Sequence, residues 1–140
     1  MSRIGARYNV YFAVERAEES EALEGTGSLV FDHENYKVYC QLSERACRKT
    51  LDGFMKKWNS LCQHPYRLVT FHSFDNKPEP NPIYHTNVVM AILDKHVVCC
   101  LDSIHDKEEK AMMLKEIQEG RRKVIDISYD EMNNMCGNML

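Results

Sequence analysis

Apolar and polar residues alternate in short runs along this chain, and the runs recur in a fixed order. Ser28 to Asp32 (SLVFD) and Tyr36 to Leu42 (YKVYCQL) are rich in β-formers and are separated by His33-Glu34-Asn35, which predicts an antiparallel hairpin. Ser43 then reads as a helix N-cap, because Cys47, Leu51, Phe54, Met55 and Trp58 follow at the spacing of one helical face. Past His64 and Pro65, Tyr66 to His72 (YRLVTFH) reads as a third strand. Ser73 to Pro82 holds three prolines and an Asp75-Asn76 turn signal, so it predicts a connector without regular structure. The order then returns, with strands Thr86 to Leu93 (TNVVMAIL) and His96 to Leu101 (HVVCCL) around a turn at Asp94-Lys95. A helix follows, with Asp106 as N-cap, Glu109 completing a capping box and Gly120 as its stop, before a last strand, Lys123 to Ile127 (KVIDI).

The pattern therefore predicts two copies of a strand-strand-helix-strand unit, over residues 22–72 and 84–128. Leu29-Val30-Phe31 matches Val88-Val89-Met90 and Val38-Tyr39-Cys40 matches Val97-Val98-Cys99, an offset of about 59 residues. A third copy is expected to begin over residues 129–140: Ser128 to Glu131 carries a capping signature, and Gly137-Asn138-Met139-Leu140 repeats the opening of a first strand, like Gly27-Ser28-Leu29-Val30. Upstream, Tyr8 to Val14 (YNVYFAV) reads as a strand and Glu15 to Glu21 as an acidic loop. The fold class is α/β, in one domain over residues 1–140. Repeats of this kind bury their faces against their neighbours, so the outer surfaces are expected to be covered by further chain segments or by a second copy in a homo-oligomer.

Composition narrows the function classes. At 140 residues and 44% hydrophobic, the chain has length for one ordinary core. Its 18 basic and 21 acidic residues give a net charge of −3, which favours neither nucleic acid nor an anionic membrane. Arg121-Arg122-Lys123 reads as favourable charge at a helix C-terminus. No stretch reaches the roughly 20 apolar residues of a membrane span, and Met1 to Tyr8 has no signal-peptide run, so a cytoplasmic protein is expected. Cys99 and Cys100 are adjacent in a strand and point to opposite faces, which argues for reduced, buried thiols. Cys62 and His64 lack a second pair at metal-site spacing, so no metal is expected.

Chemistry gathers where the first strand of each unit begins. Glu24-Gly25-Thr26-Gly27 precedes one and Tyr84-His85-Thr86-Asn87 the other, so polar groups sit at equivalent ends of equivalent units. Together with the Gln41-Leu42-Ser43-Glu44-Arg45 stretch and the Gly137-Asn138-Met139-Leu140 element, in this order, the chain resembles the guanidino-group-modifying (pentein) superfamily over nearly all of residues 22–140. That superfamily includes arginine deiminases, dimethylarginine dimethylaminohydrolases and amidinotransferases, and the texture is similar to bacterial amidinotransferase-like proteins related to arginine and citrulline hydrolases.

The resemblance implies an α/β propeller of five such units, of which this chain holds two and the start of a third. It implies a Cys/His mechanism without metal or organic cofactor, acting on a small guanidino or ureido amino acid. A thiolate attacks the guanidino or ureido carbon, and an imidazole shuttles protons near neutral pH. By resemblance His85 is the acid/base group, Glu24 its acidic partner or the receiver of a guanidinium nitrogen, and Asn87 and Thr26 substrate contacts. Thr26 and Gly27 also read simply as turn residues. Asn87 stands where many relatives carry an aspartate; its neutral amide weakens selection for a full positive charge and makes a citrulline-like substrate more compatible. None of the six cysteines matches the family nucleophile's motif; by the resemblance that nucleophile, after a glycine-rich segment, is expected past Leu140 and the first unit upstream of Met1. The isolated chain is therefore expected to be inactive. The alternative is a catalytically dead module of the same fold that serves assembly or ligand binding.

Overall fold

The computed structural model describes residues 22–139; the strand expected over Tyr8 to Val14, the loop Glu15 to Glu21 and Leu140 lie outside the described residues. Strands β1 (Val30–Asp32) and β2 (Lys37–Gln41) pair antiparallel, helix α1 (Arg48–Leu61) follows, and β3 (Arg67–Phe71) returns parallel to β2. The same order recurs as β4 (Met90–Ile92), β5 (His96–Cys99), α3 (Lys107–Glu119) and β6 (Lys123–Asp126). The result is two three-stranded mixed sheets, β1-β2-β3 and β4-β5-β6, which do not close into a ring among the described residues. Short α2 (Thr86–Val89) precedes β4, and α4 (Tyr129–Asn133) follows β6.

Strand periodicity divides the apolar side chains between two cores. Val38 and Cys40 of β2 join Leu51 and Met55 of α1, with Phe54 and Trp58 at the margin, as the helical spacing predicts. Tyr39, pointing to the other face, joins Val69 and Phe71 of β3 in a larger core with Val97, Val98, Met113 and Ile117 of the second unit. The first sheet is thus covered by its own helix on one side and by α3 on the other. The edge strand β6 leaves Lys123, Ile125 and Asp126 exposed.

Several expectations are corrected. Ser43 does not cap α1. Backbone hydrogen bonds between Ser43 and Ala46 make a tight turn first, the Cys47 amide is held by Ala22 O, and the helix starts at Arg48 with Cys47 as its N-cap. The first strand of each unit is shorter than its apolar run, because a helical turn precedes it: Thr26–Ser28 in the first unit and Thr86–Val89 in the second. These turns and the ladders fix the repeat offset at 60 rather than 59. Thr26 corresponds to Thr86, and the pair Val30–Tyr39 to Met90–Cys99. A one-residue slip matters because it sends each strand side chain to the opposite face.

At α3, Asp106 caps as expected, accepting from the amides of Glu108 and Glu109. Glu109 does not complete a capping box, because its carboxylate accepts the His72 amide at 2.7 Å and lies 2.8 Å from His72 Nδ1. Gly120 ends the helix at φ −75, and the left-handed residue is Arg121. Ser128 and Glu131 do form the reciprocal box at α4. Beyond it, residues 134–137 turn and no strand forms through residue 139, since none of the described residues supplies a partner for one. The 73–82 connector lacks helix and strand, as predicted; Asp75 organises it, accepting from the amides of Lys77 and Asn81 and pairing with Lys77 Nζ at 3.0 Å.

Charged groups lock the two units together. Arg122 donates to Asp32 Oδ2 at 3.0 Å, to Glu34 Oε2 at 2.7 Å and to Leu93 O at 2.9 Å. Lys37 reaches Glu116 O at 2.6 Å and its carboxylate at 2.9 Å, and Arg67 reaches the same carboxylate at 2.6 Å. The Arg122 and Asp32 side chains are only 5% and 2% exposed, so removing one strands the other away from water. Arg122→Ala should lower the free energy of unfolding by about 3–5 kcal/mol. By contrast Arg48→Ala, in the exposed Arg48–Asp52 pair, should cost at most about 1 kcal/mol. Urea denaturation of both variants checks the contrast.

Candidate functional site

The two helical turns that open β1 and β4 lie against each other, and the polar residues singled out by sequence meet there. Gly25 turns the chain at φ 54, a conformation that favours glycine, and Glu24 just before it is anchored through its amide to Arg45 O at 2.9 Å. His85 is the extended N-cap of α2. Its Nε2 lies 3.6 Å from Glu24 Oε2, within ion-pair reach but too long for a hydrogen bond. That nitrogen is buried and has no hydrogen-bond partner among the described residues, although the His85 side chain as a whole is 20% exposed. Glu24 is half exposed. The pair therefore joins an open carboxylate to a nitrogen with unused capacity to give or take a proton.

Gly27 makes the approach possible. A Cβ there would stand 2.8 Å from His85 Nδ1 and 3.0 Å from Asn87 Oδ1, closer than side chains tolerate. Asn87 continues the surface by donating to Asn138 Oδ1 at 3.3 Å, so residues near the end of the described chain meet the second unit beside the histidine. Thr26 and Asn87 line a separate hollow of ≈ 480 Å³ with Asn138, His33 and apolar side chains of β1 and β4. Glu24 and His85 do not line it. The structure thus brings Glu24 to His85 and Asn87 to Thr26, as two adjoining groups rather than one cup.

Several residues around the pair were given no role from the sequence. The Arg45 guanidinium stands 5.0 Å above the Tyr84 ring and has Nε 3.7 Å from Glu24 Oε2, so the carboxylate lies between a cation and an imidazole. Tyr84 also meets the His85 ring edge-on, with centroids 5.0 Å apart. Ser43, freed from capping, donates to Tyr84 O at 3.0 Å. Ser43, Arg45, Asn81 and Tyr84 line a second hollow. Thr86, fully buried, donates to Ser28 O at 2.6 Å and accepts from the Gln41 amide at 2.7 Å. The signal for Arg45 was present in the Leu42-Ser43-x-Arg45 element, which marked a resemblance without assigning a task.

Among the described residues no group of three or more His, Cys, Asp or Glu side chains is arranged to hold a metal ion, and no helix is long and apolar enough to cross a membrane. His72 and His105 are engaged elsewhere, with Glu109 and with the Tyr129 hydroxyl. A family model described as N,N dimethylarginine dimethylhydrolase, eukaryotic, matches residues 4–140. No curated protein and no solved structure matches the chain.

None of the six cysteines is in a disulfide, and they divide by burial. Desolvation pushes the Cys40 thiol up to about 12, and it raises Cys99 and Cys100 as well. These three are neutral near pH 7 and lack the thiolate a nucleophile requires. Cys47, Cys62 and Cys136 are only partly buried. Iodoacetamide at pH 8 should therefore alkylate Cys62 and Cys136 at least about tenfold faster than Cys40, Cys99 and Cys100, read by peptide mass mapping. Raised thiol values also fix the sign of a pH effect. The unfolded chain releases these protons near the ordinary 9.0, the folded chain later, so Cys40 makes stability fall as pH rises from 9.0 towards 12.

Proposed function

The chain belongs to the eukaryotic N,N-dimethylarginine dimethylhydrolase family, and on that premise we propose that it carries the proton-transfer part of a site that hydrolyses a guanidino amino acid. Hydrolysis at a guanidinium carbon needs a nucleophile, a proton for the departing amine and a carboxylate to hold the cation. His85 is the acid/base group. Glu24 orients it or accepts a guanidinium N–H in a charge-assisted bond. Arg45, beside Glu24, is placed to receive the α-carboxylate of an amino-acid substrate. Asn87 offers a neutral amide next to the imidazole, which suits a ureido group as well as a guanidinium, and Thr26 adds a hydroxyl in the adjoining hollow.

In the reaction a thiolate adds to the guanidino carbon, and the C–N bond to the amine breaks as His85 gives that nitrogen a proton. Water, activated by the same imidazole, then adds to the carbon and releases the thiolate, leaving the ureido product. Cys40, Cys99 and Cys100 are unsuited to the nucleophile's place by burial. The observation that carries the reading is the approach of Glu24 Oε2 to His85 Nε2, a buried ring nitrogen with no hydrogen bond of its own. Two sheets of identical order, with α3 of the second packed on β3 of the first, support the further reading that residues 22–72 and 84–128 are adjacent blades of a pentein-type propeller within one domain, and that 129–140 opens the next.

Dimethylamine and ureido product released from N,N-dimethylarginine, with arginine and citrulline as comparison ligands, test this function. Whatever turnover the chain supports, His85→Ala should lower it by about 10²–10⁴-fold while binding persists. Glu24→Gln should weaken binding of the cationic ligands more than of citrulline. Turnover indifferent to His85→Ala would overturn the assignment. Binding of these amino acids without turnover, and indifferent to Glu24→Gln, would instead favour the binding-module reading.

A further inference from the structure

Among the described residues His85 finds no hydrogen-bond partner that would aim its ring, so its direction has to come from its neighbours. Its Nε2 has no hydrogen-bond partner, and as N-cap of α2 its side chain bonds no amide of that helix. Helix α2 is four residues long, too short to hold its own shape, because a first turn of helix costs more order than its few hydrogen bonds return. Something outside the turn must fix it.

We propose that Thr86 is the positioning residue of the site, its buried hydroxyl pinning the second unit's helical turn to the backbone of the first so that the His85 ring lies on Gly27 and faces Glu24. The hydroxyl uses both its roles across the junction: it donates to Ser28 O at 2.6 Å and accepts from the Gln41 amide at 2.7 Å. Those partners bracket the first unit's hairpin, one just before β1 and one at the end of β2. The side chain is fully buried and β-branched, hence stiff about χ1, so the tether transmits position rather than slack. On the other flank of His85, Ser43 Oγ holds Tyr84 O at 3.0 Å. The residues before and after the histidine are therefore both fastened to the first unit, and the gap at Gly27 admits the ring between them. Thr86 has no contact with a reacting atom in this arrangement; it acts through His85.

The inference rests on the reading of His85 as the proton-transfer group only for its catalytic consequence, and the test is chosen to separate the two. In the full chain with ¹⁵N-labelled histidine, His85 is identified among the 6 histidines by its loss in His85→Ala. The imidazole ¹⁵N shift of His85 should respond to Glu24→Gln in the parent chain. Thr86→Ser, which keeps the hydroxyl, should preserve that response; Thr86→Val, which keeps the shape without it, should reduce it by at least about half while the other histidines stay unmoved. Uniform movement of every histidine, as general loosening would produce, overturns the proposal. So do an undiminished response in folded Thr86→Val and a missing response in the parent. Should Thr86→Val fail to fold, Thr86→Ser and Gly27→Ala decide: the serine must retain the response, and the alanine must diminish it with the hydroxyl intact. Since no turnover is measured, failure of the hydrolase reading shows in the kinetics of His85→Ala and failure of this inference in the spectra.

Discussion

The Arg122–Asp32 pair joins the second unit to the first at a place almost closed to water, and the rest of the structure is arranged around that junction. A charge removed from solvent at such a place is tolerable only with a partner and further hydrogen bonds. Arg122 obtains them from Asp32, Glu34 and Leu93 O, while Asp32 also holds the amide and side chain of Asn35 in the hairpin turn. A few residues away, Lys37 and Arg67 of the first sheet converge on Glu116 of α3. Any other docking of the two sheets would strand these groups unpaired, so the charges select a single relative placement where apolar contact alone would permit several. The carboxylates of this cluster add to burial in raising the Tyr39 phenol, which keeps that residue neutral in the shared core.

That placement governs the candidate site at the other end of the sheets. Glu24 comes from the first unit and His85 from the second, so their 3.6 Å separation is a property of the junction and of neither unit alone. The same holds for Gly27 beneath the imidazole and for the Thr86 hydroxyl between Ser28 and Gln41. Rigid charge pairing near the hairpin turns and hydroxyl pinning near the strand openings act on the same two bodies from opposite ends. Chemistry that tolerates little misplacement of a proton donor benefits from such bracing.

The geometry gathers groups that suit the chemistry proposed from the family. A guanidino-modifying hydrolase has to handle a cation and a departing amine, and the junction offers a half-exposed carboxylate, a partly covered imidazole and a neutral amide side by side. Under the proposed function the arginine above Tyr84 extends this to both ends of an amino acid, one cationic and one anionic. The thiols sort by their surroundings: burial silences three of them, so a nucleophile is a matter of exposure and not of cysteine count.

Much of this was legible in the residues, and the parts that were not have a common cause. Local rules placed the strands of both units, the Leu51–Met55–Trp58 stripe, the Asp106 and Ser128 caps and a connector without helix or strand, because each depends on neighbours within a few residues in sequence. The strand-strand-helix-strand repeat followed from the order of those elements, and the family resemblance from the Glu24–Gly27, Leu42–Arg45, Tyr84–Asn87 and Gly137–Leu140 motifs in their order along it. Tertiary partners decided the rest. Ser43 bonds to Tyr84 rather than capping a helix, Glu109 is taken by His72, and the apolar Thr86–Val89 run winds into a turn where the Thr86 hydroxyl finds backbone 45 and 58 residues away. Those competing bonds join groups distant in sequence, so no local pattern foretells them. The sequence by itself determined the strand-strand-helix-strand order and which residue types could carry proton chemistry. Only the packing of one repeat on the next decided that Glu24 and His85 would face each other, because the distance between them is set by buried charges and hydroxyls that neither motif contains.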